Sequence, residues 1–131
     1  MKELVFELEM KVRDYECDIQ GIVNNSNYQR YMEHTRHEFL ENLGGGFADM
    51  HNQGMDAVVA RVDIQYKASL KPGDVFISTL KMTKEGPRLV FHQNIYRKDD
   101  MKLCTRGKVE SVIVKDGKLT RGEYFDELLK Q

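Results

Sequence analysis

Tyr28, Tyr31, Met32, Thr35, Phe39, Leu40 and Leu43 recur at i, i+3, i+4, i+7, i+11, i+12 and i+15, opposite Arg30, Glu33, His34, His37, Glu38 and Glu41. No other segment of the chain carries this period, so one long helix must serve whatever sheet the rest builds. At about 17 residues and 1.5 Å each it is roughly 25 Å long, enough to cross a sheet of about five strands. Gly44, Gly45 and Gly46 follow and predict its end.

The other patterned segments alternate with period two. Leu4, Phe6, Leu8, Met10 and Val12 are separated by Glu7, Glu9, Lys11 and Arg13, the mark of a strand with one wet face. Phe47 to Met55 is poorly patterned. Val58, Ala60, Val62, Ile64 and Tyr66 then alternate with Val59, Arg61, Asp63, Gln65 and Lys67 as a second strand. Turns at Lys71 to Asp74, Glu85 to Arg88 and Lys98 to Lys102 separate strands at Val75 to Met82, Leu89 to Arg97 and Leu103 to Val114. The last strand closes at the tight-turn signal Asp116-Gly117, and Tyr124, Phe125, Leu128 and Leu129 mark a terminal helical turn.

The order is therefore strand, loop, long helix, then four strands in a meander. The sheet face and the helix stripe each need a partner and each has the other, so the expected fold is α+β, one sheet wrapped around one helix. A chain of 131 residues with 40% hydrophobic and 31% charged residues is expected to be one domain over 1–131, neither disordered nor coiled coil. Such a layout leaves an edge strand and an open face, so a homo-oligomer is expected.

Twenty Lys+Arg against 21 Asp+Glu, with no long run of either sign, give no sign of a nucleic-acid footprint and leave room for a local basic pocket for an anionic ligand. No apolar run is long enough to span a membrane, and the charged start MKELVFELEMK is unlike a signal peptide. Cys17 and Cys104 show neither CxxC nor metal-ligand spacing and are expected as reduced thiols in a cytoplasmic protein.

The segment Asp14 to Asn27 is the most informative. Asp18, Gln20, Gly21, Asn24, Asn25, Ser26, Asn27 and Tyr28 crowd polar groups beside a helix N-terminus. Two readings fit these residue types. In one, Asp18 caps a turn and the asparagines supply left-handed turns and an N-cap. In the other, unpaired amides at the helix start stabilise a carboxylate or a developing oxyanion beside Asp18.

The run Tyr15 to Arg36, with D-x-x-G-x-V, then N-Y, then an aromatic-x-E-x-x-R helix, resembles the signature of hotdog-fold acyl-CoA thioesterases of the 4-hydroxybenzoyl-CoA thioesterase type. Asp18, Gly21, Val23, Asn27, Tyr28, Tyr31, Glu33 and Arg36 match it, and Val62 to Asp74 and Gly107 to Lys118 match later family segments. The resemblance implies a five- or six-stranded antiparallel sheet around a central helix. It implies that Asp18 is the catalytic carboxylate, as general base or nucleophile, and that Gly21, Asn25 and Tyr28 line the acyl cleft. It also implies backbone donors for the thioester carbonyl, often across a dimer interface. The segment Gly54 to Val58 just before the second strand, with Asp56, Ala57 and Val58, is the candidate here. One departure is that many members carry an aromatic-His pair where this chain has Asn24-Asn25, and Asn can hydrogen-bond but not exchange a proton.

The expected activity is thus hydrolysis of an acyl-CoA to free acid and coenzyme A, with no cofactor beyond the coenzyme A of the substrate, in a dimer or dimer of dimers. A thiolate leaves readily, so one carboxylate and an oxyanion hole suffice. Two alternatives stay open: an acyl-CoA-binding module without turnover, and an acyl-carrier-protein thioesterase. Dehydratase chemistry ranks below them, since no histidine falls in the Asp18 loop. Arg61, Lys67, Lys71 and Arg88 are candidates for coenzyme A phosphates, and Met32, Phe39 and Tyr66 for setting the acyl cavity. Glu33, His34, His37 and Glu38 are read as a solvated face and not a metal site, His51 and His92 as structural, and Cys17 as a weak nucleophile candidate.

Overall fold

The structure, a computed structural model, describes residues 4–43 and 47–129. The elements in order are β1 (Leu4–Lys11), a 3₁₀ turn (Asp14–Glu16), α1 (Asn25–Asn42), α2 (Phe47–Asn52), β2 (Met55–Tyr66), β3 (Val75–Glu85), β4 (Arg88–Arg97), β5 (Lys102–Lys115), β6 (Lys118–Leu119) and α3 (Glu123–Leu129). The antiparallel sheet runs β1-β3-β4-β5-β2, with β6 paired to β5.

This order corrects the four-strand meander. β3, β4 and β5 do follow one another, but β2 pairs with β5 at the far edge, from Met55↔Lys115 to Tyr66↔Thr105, while β1 pairs with β3 at the near edge. The chain leaves β1 on one side of the sheet and must reach β2 on the other, and α1 carries it across. Four inter-strand gaps of about 4.8 Å set a crossing that 18 helical residues span.

Three local boundaries also differ from the pattern. Asn24, in extended conformation, accepts the Ser26 amide on its side chain at 3.0 Å, so α1 begins at Asn25, a turn before the stripe. Phe47–Asn52 is a short helix, and β2 starts at Met55, not Val58. A bulge between Val59 and Arg61 breaks the alternation of β2, so Val59 and Val62 face the helix and Val58 faces outward. The Gly44 to Gly46 helix end, and the side chains of Leu128 and Leu129, lie outside the described residues.

The stripe is buried from Tyr28 to Leu40, each apolar member worth about 1.5–3 kcal/mol on burial. It packs into two apolar clusters. Phe39 and Leu40 join Leu80, Met82, Phe91, Val109 and Phe125 under the C-terminal half of α1. Tyr28, Tyr31 and Met32 join Val12, Val23, Leu70, Phe76 and Ile95 under its N-terminal half. A polar seam separates them: Thr35 Oγ1 and Ser78 Oγ lie 2.7 Å apart, and Arg36 Nη1 donates to Gln93 Oε1 at 2.9 Å while Gln93 Nε2 donates to the Met32 carbonyl. Arg36 is 7% exposed, and this desolvation lowers its pKa. Its charge hid it from a hydrophobic pattern.

Candidate active site

Asp18 sits on a miniature hairpin that feeds α1. The Asn24 amide donates to the Glu16 carbonyl at 3.2 Å, Cys17 and Val23 form an antiparallel bridge, and the Asp18 amide donates to the Ile22 carbonyl at 2.9 Å. Gly21, at φ +77, supplies the left-handed residue of the turn that joins the two arms, and its amide donates to the Asp18 carbonyl. The half-buried Asp18 side chain accepts the Gln20 amide at 2.8 Å, leaving acceptor capacity on the carboxylate. The ladder thus holds Asp18 two rungs from the Asn24 cap of α1. Of the local roles expected for this segment, Asn24 supplies the N-cap and Asp18 closes a turn on the Gln20 amide, but none of the asparagines is left-handed; Gly21 alone takes that conformation here.

Asn25 is the first helical residue and is exposed, and its carbonyl accepts the Tyr66 phenol at 3.3 Å. The C-terminal end of β2 therefore meets the start of α1. Tyr28 is 3% exposed, its phenol accepting the Leu70 amide at 3.0 Å, and burial raises its pKa. It forms part of the wall behind the loop.

The remaining assigned residues fall elsewhere. Asp56, Ala57 and Val58 lie inside β2, not before it, because the ladder with β5 already runs from Met55. They occupy the end of the strand remote from Tyr66, about 26 to 33 Å from it at ~3.3 Å per residue. Asp56 there meets His51 Nδ1 at 2.8 Å. Arg61 and Arg88 both approach Glu110, at 3.8 and 3.4 Å, on the outer face of the sheet. Lys67 follows the other end of β2, and Lys71 lies in the turn that its amide closes on Asp74. The four cations form no single cluster.

Cys17 is no activated nucleophile. Burial pushes its thiol up, and Glu16, Asp14, Asp18 and Asp74 push it further, which keeps it protonated. His34–Glu38 and His37–Glu33 are 3.9 Å pairs on the exposed helix face, and no group of three metal-binding side chains occurs among the described residues. No described helix is long and apolar enough to cross a membrane.

Two adjoining cavities of about 250 and 290 Å³ run along the groove between α1 and β2. Met32, Val59, Val62, Ile64 and Val109 give the first its apolar wall, and Glu33 and Arg36 line both. Phe39 belongs to the packed core instead. Sequence reasoning missed the buried Glu16, whose carboxylate accepts the Tyr31 phenol at 2.9 Å. A lone acidic residue in a loop carries no periodic signal.

The Thioesterase-like superfamily profile matches residues 12–130. The chain is 35% identical over 115 residues to a putative esterase of Aquifex aeolicus, covering 87% of this chain and 88% of that one. It is 34% identical over 92 residues to a chloroplast acyl-acyl carrier protein thioesterase of Arabidopsis thaliana, covering 70% of this chain. The chain spans about half the length of the plant relatives it matches, at 48% and 49%. The crystal structure of a DHNA-CoA thioesterase from Staphylococcus aureus superposes with a TM-score of 0.86 at 25% identity, covering 96% of this chain and 87% of that one. With one long helix laid across a six-stranded antiparallel sheet, the chain belongs to the thioesterase-like superfamily and has the hotdog fold.

Proposed function

We propose that this protein is a thioesterase that hydrolyses an acyl-CoA, with Asp18 as its working carboxylate. The observation that supports the reading is the ladder from Glu16–Asn24 to Asp18–Ile22, which holds the half-buried Asp18 in the short hairpin leading into α1, in a chain of this superfamily. As general base, Asp18 takes a proton from water while the water oxygen attacks the thioester carbon. The carbonyl π electrons move onto oxygen, then return as the C–S bond breaks and the thiolate leaves with its pair. As nucleophile, Asp18 forms an anhydride with release of thiolate, and water then cleaves the anhydride. Amides aimed at the developing oxyanion lower either barrier.

The oxyanion donors assigned to Asp56 or Ala57 are remote from Asp18 within one chain. Antiparallel pairing of β2 with β2 of a second copy brings the Met55 end of one strand to the Tyr66 end of the other, which supports a homodimer with composite sites. The groove between α1 and β2 offers the acyl group its room. In this reading the enzyme is a cytoplasmic, single-domain protein that needs no cofactor, coenzyme A arriving as part of the substrate.

The test is thiol release from acyl-CoAs of graded length and from aromatic acyl-CoAs, with Asp18→Asn alongside. Release that falls by about 10²-fold or more in the variant supports the reading; an equally active variant overturns the role of Asp18. The plant relatives favour a second substrate form, acyl groups on a carrier protein. Turnover of acyl-carrier-protein thioesters without turnover of the matching acyl-CoAs would select it, and saturable acyl-CoA binding with no thiol release would select a binding module.

A further inference from the structure

Glu16 is buried, at 9% exposed, two residues before Asp18. Five hydrogen bonds among the described residues converge on it. Its carboxylate accepts the Arg13 amide at 2.8 Å, the Arg13 guanidinium at 3.3 Å and the Tyr31 phenol at 2.9 Å. Its carbonyl accepts the Asn24 amide at 3.2 Å and the Asn27 side chain at 2.6 Å. Two of these donors belong to Arg13, two residues beyond β1; the other three belong to the cap and first two turns of α1. One residue therefore clasps strand to helix at the first rung of the ladder that carries Asp18.

We propose that Glu16 is a positioning residue that sets the geometry of Asp18 against the start of α1. The inference rests on the reading of Asp18 as the working carboxylate. Tyr31 is 5% exposed with its phenol in ring contact with Phe76 at 4.6 Å, so the helix side of the clasp cannot drift. Burial, followed by the hydrogen bond to Glu16, pushes the Tyr31 phenol strongly upward, so it stays a donor. The loop side hangs on the Glu16 backbone, and Asp18 follows two rungs on. A shift of about 1 Å at a reacting group costs up to roughly 10²-fold in rate, so loosening the clasp acts on kcat with no direct substrate contact.

Cys17, between Glu16 and Asp18, reports on the loop independently of turnover. Burial and then the Glu16 charge hold its thiol up. The experiment compares Glu16→Ala, Glu16→Gln and wild type in kcat, KM and the alkylation rate of Cys17 read by peptide mass. Ala is expected to lower kcat about 10- to 100-fold with KM within about threefold, and to speed Cys17 alkylation about fivefold or more. Gln keeps an oxygen for Tyr31 and Arg13 and is expected to restore kcat to within about threefold of wild type. A purely structural role would lower the folded fraction and leave kcat of the folded protein and the Ala-to-Gln contrast flat. If Ala does not fold, Tyr31→Phe, which removes the helix's hold on the carboxylate, takes its place with the same expected split.

Unchanged kcat in these variants, beside an inactive Asp18→Asn, overturns the inference whatever Cys17 does. A fully active Asp18→Asn overturns the functional reading instead; because Glu16→Ala and Glu16→Gln remove the same charge from beside Cys17, faster Cys17 alkylation in Ala than in Gln then shows that Glu16 positions the loop, and equal rates overturn it.

Discussion

The phenol oxygen of Tyr28 accepts the backbone amide of Leu70 at 3.0 Å, and the Leu70 carbonyl in turn accepts the amide of Val23 at 2.9 Å. Leu70 thus ties the first turn of α1 to the arm of the hairpin opposite Asp18. Both residues are buried, so Tyr28→Phe leaves the Leu70 N–H without its acceptor. A loss of about 1–3 kcal/mol is expected, read from urea denaturation midpoints. A stability change under about 0.5 kcal/mol would show that another acceptor reaches Leu70.

Gly107, on the inner face of β5, has no room for a side chain. A Cβ there would stand 2.8 Å from both Cε and Sδ of Met32, which is fully buried. Gly107→Ala is expected to cost about 1–3 kcal/mol through overpacking. Combining it with Met32→Ala, which vacates the contact, should cost less than the sum of the single changes, and a double-mutant cycle in chemical denaturation measures the difference. Simple additivity would place the strain elsewhere.

Much of the architecture could be read from the residues, because it follows from period. The stripe from Tyr28 to Leu40 and the alternation in β1 report which face is buried, and burial is what built those patterns. Strand order was hidden: β2 and β3 are consecutive in sequence, but pairing is decided by the span of α1 across the sheet, which no local pattern encodes. The bulge at Val59 to Arg61 defeated the alternation in the same strand, since one extra residue inverts which side chains face the helix. In the site, Asp18 was legible through its motif, Gly21 through the turn it closes. The burial of Glu16 and Arg36 was not, although Arg36 stands in the motif, because a buried charge is recognisable by its partners, and the Tyr31 phenol and the Gln93 amide lie 15 and 57 residues away.

The turn between β4 and β5 carries its own pH dependence. Arg97 donates to Asp100 through Nε and Nη2 at 3.1 and 3.0 Å, and this hydrogen bonding, joined by the Lys102 amide, holds the Asp100 carboxyl below its ordinary 3.8. A depressed folded pKa adds stability that is present above the unfolded value and lost as pH falls through the folded one. The side-chain carboxyl titration of Asp100 by NMR should therefore have its midpoint under 3.8 in wild type and rise toward it in Arg97→Gln. A midpoint unmoved by the substitution would assign the depression to the backbone amide.

The free edge of β2 is apolar where a free edge should be charged. Val58, Val59, Val62 and Tyr66 are 47%, 45%, 42% and 44% exposed along one 12-residue strand. An unpaired ladder with such side chains is a template for a second strand, which single chains blunt with charge or proline. If two copies join β2 to β2 in antiparallel register, Val62 lies near the middle of the joint and a carboxylate there meets its own symmetry mate in a desolvated setting. Val62→Glu is expected to be monomeric by light scattering at micromolar concentration while keeping its circular dichroism spectrum. If the oxyanion donors are the Asp56 and Ala57 amides of a second copy, the monomer also releases no thiol, and Val62→Ala, which leaves the groove without a charge, keeps both the oligomer and turnover. An oligomeric Val62→Glu would move the interface off β2, and an active monomer would require the oxyanion donors to come from the same chain, leaving the start of α1 at Asn25 as their source.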